Sequence, residues 1–167
     1  GAGKVLCLTG LSGAGKSTIA DEVAQHLTSS GRVVANLDGD NLRTGINSDL
    51  GFTEADRVEN IRRTAELAKL MAATGMVVIV SLISPYRQDR ERAKAIIGEE
   101  RFYEIFVATP LEVCEGRDPK GLYRKARTGE IPNFTGVGAP YEEPLNPKLL
   151  VDGNSTLKTQ VALVLSL

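Results

Sequence analysis

Two cysteines, one histidine and no tryptophan leave this chain of 167 residues with few of the groups that build metal centres or disulfide frameworks. Cys7 and Cys114 lie far apart, with neither C-x-x-C spacing nor a neighbouring histidine, so buried free thiols in a reducing, cytoplasmic setting are expected. His26 sits among polar residues of a predicted helix and reads as a surface side chain rather than a ligand. Neither sign of charge is in excess: 20 Lys and Arg stand against 21 Asp and Glu, a formal net charge of −1. That balance argues against a broad surface for nucleic acid and leaves small, locally held anions as ligands. No apolar run approaches the ~20 residues that span a bilayer, so no membrane partner is expected. Gly1-Ala2-Gly3 carries no initiator Met and no secretory apolar segment, and reads as a processed end or the cut edge of a longer chain. The remainder is ordinary for a globular chain, with 42% hydrophobic and 25% charged residues in a length that suits one domain over 1–167.

What is present is organised around Gly10-Leu11-Ser12-Gly13-Ala14-Gly15-Lys16-Ser17, between the apolar run Val5-Leu6-Cys7-Leu8-Thr9 and a helical pattern beginning near Ser17. The G-x-x-x-x-G-K-[ST] spacing in a strand-before, helix-after context marks a phosphate-binding loop. Its glycines let the backbone wrap an anion so that N–H groups and the helix N-terminus point at phosphate. Lys16 then reaches the β- and γ-phosphates of a nucleoside triphosphate, and the Ser17 hydroxyl is a ligand for Mg²⁺.

Further along, Arg32 to Leu37 reads as a second strand that delivers Asp38-Gly39-Asp40 to the ligand-binding edge. Thr53-Glu54-Ala55-Asp56 reads as a capping box opening a long helix with the buried stripe Val58, Ile61, Ala65, Ala68 and Ala72, stopped by Gly75. Met76 to Ile83 reads as a central strand, Ser84-Pro85 as the cap and first residue of a helix ending near Gly98, and Phe102 to Ala108 as another strand. Pro110 opens a short helix, and Asp118-Pro119 opens a basic helix carrying Lys120, Arg124, Lys125 and Arg127. Ile131 to Pro147 reads as loop, followed by a short strand at Lys148 to Val151 and a last helix at Leu157 to Leu165. This alternation predicts an α/β fold: a P-loop NTPase-type doubly wound parallel sheet with helices on both faces.

The segments Asp38-Gly39-Asp40-Asn41-Leu42-Arg43, Gly51-Phe52, Asp56 through Arg63, Ile83-Ser84-Pro85-Tyr86, Glu104 through Val107, and Arg117 through Tyr123 to Phe134-Thr135-Gly136 resemble the adenylylsulfate (APS) kinase family, in order, from about Val5 to Pro144. The resemblance implies transfer of the γ-phosphoryl of ATP to the 3′-hydroxyl of APS, giving 3′-phosphoadenylylsulfate (PAPS) and ADP. It implies that Gly13, Ala14, Gly15, Lys16, Ser17 and Thr18, with Arg117 against the adenine, hold ATP. Ser17 and Asp38 would serve Mg²⁺, the latter through water. Asp40 would pair with or deprotonate the acceptor hydroxyl, with Lys16 and Lys120 as the cations around the moving group. Asn41, Arg43, Arg57, Asn60, Ile83, Ser84, Lys120 and Leu122 would line the APS site, and Phe52 and Phe134 would clasp its adenine. The segment of about 117–136 resembles a lid that closes over both nucleotides and excludes water. Ser84 is assigned to APS binding rather than to covalent phosphate transfer, since no histidine stands ready to activate it. The family also implies a homodimer and allows fusion or association with ATP sulfurylase.

Two other readings compete with the enzyme: a PAPS- or APS-sensing regulatory domain of an ATP sulfurylase, and a nucleoside or shikimate kinase. Lys16, Ser17, Asp40 and Lys120 are all in place, which a binding-only module does not need. The acceptor segments are what other P-loop kinases lack.

Overall fold

The computed structural model describes residues 2–167; Gly1, at the terminal Gly-Ala-Gly, lies outside them. In chain order the elements are β1 (Lys4–Thr9), α1 (Lys16–Ser29), β2 (Val34–Asp38), α2 (Gly39–Thr44), α3 (Glu54–Ala73), β3 (Val77–Ser81), α4 (Arg87–Ile97), β4 (Phe102–Ala108), α5 (Leu111–Arg117), α6 (Leu122–Arg127), β5 (Leu149–Asp152) and α7 (Leu157–Leu165). All five strands pair in parallel in the order β2-β3-β1-β4-β5. The chain leaves β1 towards one flank of the sheet and returns later to the other. A crevice therefore opens at the carboxyl end of β1, where ligands bind in open α/β sheets.

Alternate strand residues serve opposite layers, as the two-residue period of a strand requires. Leu6 and Leu8 of β1, Val77 and Ile79 of β3, and Ile105 and Val107 of β4 pack with Ile19 and Val23 of α1 and Val161 and Val164 of α7. Val5, Val78 and Val80 face the other way, onto Ala65, Ala68 and Ala72 of α3 and Ala93 and Ile97 of α4. The small alanine side chains let α3 lie close to the sheet, and that proximity places the N-terminal turns of α3 beside the crevice.

Several local expectations are corrected. Asp38 is the last residue of β2 and also the N-cap of α2, a six-residue helix with no periodic signal in the sequence. The buried face of α3 consists of Asn60, Thr64, Ala65, Ala68 and Ala72, while Val58 and Ile61 are only partly covered. Ser84 does not cap α4: that helix starts at Arg87, and its first N–H is taken by the Glu142 carboxylate at 2.9 Å. Ser84 instead occupies a turn with φ 41°, in the left-handed region. The basic helix starts at Leu122, so Lys120 stands in the turn before it. Asp118 still caps this helix from a distance, accepting from the N–H groups of Tyr123 (2.9 Å) and Arg124 (3.1 Å). Cys114 is fully buried and Cys7 partly so, both as free thiols, and His26 is exposed.

One glycine links the fold to the crevice. A Cβ at Gly153 would lie 1.8 Å from Thr109 Oγ1, and Thr109 Oγ1 donates to the carbonyl of Ala14 at 2.8 Å. Gly153→Ala should therefore lower unfolding free energy by about 1–3 kcal/mol, the range for overpacking a close-packed interior. Urea denaturation of the purified variant measures this, and an unchanged midpoint would mean that Thr109 moves aside freely.

Candidate active site

The loop between β1 and α1 turns through Gly13 (φ 79°) and Gly15 (φ 104°), a backbone region that side chains strain. Three consecutive carbonyls of this loop are held by side chains from later elements. Tyr123 Oη donates to Ser12 O (2.7 Å), Arg117 Nη1 to Gly13 O (3.0 Å) and Thr109 Oγ1 to Ala14 O (2.8 Å). In a planar trans peptide the C=O and N–H point in opposite directions, so anchoring the carbonyls turns the following N–H groups to the other side. Lys16 folds back over the loop, donating to Gly10 O (2.8 Å) and Leu11 O (2.9 Å). Desolvation pushes its pKa down to about 8, against the upward pull of Cys114, Asp38 and Asp40 and with Lys120 adding to the depression.

Next to the loop, Ser17 Oγ donates to Asp38 Oδ2 at 2.8 Å, and Asp38 Oδ1 accepts from the N–H of Asp40 at 2.9 Å. One carboxylate thus meets the first helix and also caps α2. The Ser17 hydroxyl and Asp38 carboxylate form a compact set of hard oxygen donors. That set suits Mg²⁺, which takes one or two protein oxygens and fills its shell with phosphate and water. Asp40 pairs with Lys120 Nζ, so a carboxylate from α2 and a cation from the turn before α6 meet over the crevice.

A second cluster, where the APS site is expected, is assembled by α2, the loop after it and the start of α3. Arg43 lies three residues after Asp40, donates through Nη1 to Gly51 O (2.8 Å) and lies 4.3 Å from the ring centroid of Phe52. Its pKa is depressed first by burial and then by the charge of Arg57. Two guanidinium groups that repel one another gain from an anion placed between them. Phe52 is 70% exposed, an uncovered aromatic face. Arg57 Nη2 reaches Asn133 O at 3.4 Å and so ties α3 to the loop that carries Phe134. Phe134 packs edge-on against Tyr123, centroids 5.1 Å apart, at the margin of the core. Asn60 is buried, with Oδ1 accepting from Asn47 Nδ2 at 2.9 Å. Ile83 O accepts from Thr9 Oγ1 (2.7 Å), Ser84 Oγ donates to Thr9 Oγ1 (3.0 Å), Asn41 is exposed, and Leu122 is half-buried at the start of α6.

Ser17, Asp38, Asp40 and Lys120 therefore form one connected group beside Lys16, and Arg43, Phe52 and Arg57 a second. Sequence reasoning missed Thr109, Tyr123, Asn47 and Thr9. Their roles depend on partners 13 to 111 residues away, which no local motif records.

A doubly wound sheet with a phosphate loop, a serine–aspartate oxygen pair and two charged walls facing the same crevice defines a P-loop phosphotransferase. Comparisons narrow the class. A family model described as adenylylsulphate kinase matches residues 2–152. The adenylyl-sulfate kinase of Geotalea daltonii is 55% identical over 163 residues, covering 97% of this chain and 80% of that one. The bifunctional enzyme NodQ of Rhizobium tropici is 61% identical over 145 residues, 87% of this chain and 23% of NodQ. Among solved structures, the Mycobacterium tuberculosis APS kinase CysC in complex with AMPPNP and APS superposes with a TM-score of 0.95 at 46% identity, covering 99% of this chain and 96% of that one. The chain belongs to the adenylylsulphate kinase family.

The lowered pKa of Lys16 has a measurable consequence. Between about 8 and the ordinary 10.5 the unfolded chain keeps a proton that the folded chain has released, so stability of the ligand-free protein should rise across that window. Lys16→Met should remove this part of the slope. Parallel thermal melts of the two proteins from neutral to alkaline pH test it, and identical slopes would show that Lys16 is not depressed.

Proposed function

We propose that the chain transfers the γ-phosphoryl of ATP to the 3′-hydroxyl of APS, yielding PAPS and ADP. The observation that carries this reading is the meeting of Asp40 and Lys120 beside the Ser17–Asp38 pair, with the Arg43–Arg57 wall on the same side as Asp40. Phosphoryl transfer asks a protein mostly for positioning and charge balance. In this reading Gly13, Ala14, Gly15, Lys16, Ser17 and Thr18 hold the triphosphate, and Arg117 lies by the ATP adenine. Ser17, and Asp38 through water, would hold Mg²⁺, which would neutralise phosphate charge when bound.

Arg43 and Arg57 grip the phosphosulfate of APS, with Asn41, Asn60, Ile83, Ser84 and Leu122 completing the walls. Phe52 and Phe134 offer faces to its adenine. Asp40 orients the 3′-hydroxyl and takes its proton as the oxygen attacks the γ-phosphorus and the bond to the β-phosphate oxygen breaks. Lys16 and Lys120 balance the charge that spreads over the moving group. Lys120 must release Asp40 as the acceptor hydroxyl is seated, so the ion pair belongs to the substrate-free position of the 117–136 segment.

A homodimer, cytoplasmic residence and partnership with an ATP sulfurylase belong to the same reading. The free thiols support the cytoplasmic part and the bifunctional name of the NodQ relative the partnership, while the homodimer rests on the family resemblance alone. Among the described residues no helix is long and apolar enough to cross a membrane.

Incubation of the purified chain with ATP, Mg²⁺ and APS should give PAPS and ADP in equal amounts, with AMP and shikimate left unphosphorylated. Tight binding of PAPS or APS without turnover would favour the sensing domain, and phosphorylation of either control would overturn the acceptor assignment.

A further inference from the structure

The guanidinium of Arg90 on α4 is only 5% exposed and takes no part in the contacts described so far. Its Nη1 donates to Ser84 O at 2.6 Å, its Nη2 to Glu142 O, and its Nε lies 3.5 Å from Glu104 Oε2 on β4. Its flat face lies 5.6 Å from the ring centroid of Tyr141, which also stacks on Phe106 at 5.8 Å. A buried fork that meets two carbonyls and a carboxylate uses the planar geometry that lysine lacks.

Tyr141 carries the network on to β1. Thr9 Oγ1 donates its single proton to Ile83 O at 2.7 Å, with Ser84 O a longer second acceptor at 3.4 Å, so the hydroxyls of Ser84 (3.0 Å) and Tyr141 (2.8 Å) reach it as donors. Burial pushes the Tyr141 phenol up to about 12, so it keeps that proton at ordinary pH. Glu142 N–H closes the ring by donating to Pro85 O at 2.8 Å. Ile83 and Ser84 are thus bolted to Thr9, the residue immediately before the phosphate loop, although Ser84 is held at φ 41° where a serine is strained. A small, mostly apolar cavity of about 40 Å³ lies behind the turn, bordered among others by Thr9, Ser84, Arg90 and Glu104, so packing there is incomplete. With room to relax, the turn depends on its hydrogen bonds.

We propose that Arg90, with Tyr141, is a positioning residue that locks the Ile83–Ser84 turn and the 141–143 segment to the end of β1, setting the distance between acceptor wall and phosphate loop. The role in acceptor binding rests on the APS kinase reading; the locking does not.

Arg90→Lys keeps the charge opposite Glu104 but cannot span both carbonyls. Tyr141→Phe removes only the phenolic donor and serves as the milder variant. Two measurements on each variant and on the wild-type chain decide the matter. Amide hydrogen exchange without substrate should quicken about 10-fold or more in 82–86 and 141–143 while α1 is unchanged, as expected when one local unit is loosened. Steady-state kinetics should show KM for APS raised about 10-fold for Arg90→Lys, and less for Tyr141→Phe, with KM for ATP within about 2-fold of wild type, since misplacement is felt only by the ligand it displaces. Wild-type exchange in both variants would overturn the proposal, as would faster exchange spread evenly through α1, or KM values for ATP and APS rising together. A wild-type chain that makes no PAPS would sink the APS kinase reading alone, and the exchange data would still decide the locking role.

Discussion

A loop that binds an anion through its amides must have its carbonyls satisfied elsewhere, because each peptide presents both groups in opposite directions. Here Tyr123, Arg117 and Thr109 hold the successive carbonyls of Ser12, Gly13 and Ala14, and Lys16 covers those of Gly10 and Leu11 just before them. The first three donors come from the first turn of α6, the end of α5 and the loop after β4. The fold beyond β4 therefore serves as the back plate of the phosphate site. It also explains why Tyr123 is among the largest fully buried side chains although it belongs to a short, otherwise basic helix. The segment that carries Lys120 is stapled to the phosphate loop at one end, which limits how far it can swing.

Asp38 joins the donor and acceptor halves. Its two oxygens serve different elements, one meeting Ser17 on α1 and the other capping α2, so the orientation of α2 is tied to the phosphate loop. Because α2 carries both Asp40 and Arg43, a single cap fixes the carboxylate and the cation that the proposed function sets against the acceptor's hydroxyl and anion. The Asn47–Asn60 bond and the contact from Arg57 to Asn133 extend the same wall along α3 and into the loop of Phe134. The wall that carries Arg43 and Arg57 is thus built mostly from side-chain contacts among the six-residue α2, the loop after it and the first turns of α3. The donor cradle rests on a central strand and a 14-residue helix. This division suits a site in which one substrate wall must yield when ligands enter.

Much of this was legible in the chain itself. The parallel sheet follows from the alternation of elements, and β4 and α7 have the bounds that their residues suggest, because continuous apolar runs and flanking glycines or caps are local signals. Ser17 could be named from motif spacing, and Asp38, Asp40 and Lys120 from the resemblance to the APS kinase family. Less legible were features with distant causes. Ser84-Pro85 resembles a helix cap, yet Glu142 provides the cap for α4 and frees Ser84 for a strained turn. Asp118 looks like an N-cap and acts as one through its side chain, but the helix begins at Leu122 rather than at Pro119. Asn60 and Thr64 occupy the buried stripe of α3, where a hydrophobic reading favoured Val58 and Ile61, because Asn47 and the Asn60 carbonyl satisfy their polar atoms. The Glu142 and Asn47 partners stand 55 and 13 residues away and the bonds of Thr64 and Asp118 only four and five, but all run through side chains, which period or propensity does not encode.

The proposed mechanism assigns Asp40 to the transfer step, between two nucleotides that are bound independently of it. Pre-steady-state kinetics of Asp40→Asn under single-turnover conditions, with ATP and APS binding measured separately, test this most directly. Both nucleotides should bind within about 3-fold of wild type while the transfer rate falls about 10²–10⁴-fold, the range for losing a general base. A variant that transfers phosphate at the wild-type rate once saturated, or that fails only because APS no longer binds, would contradict that role.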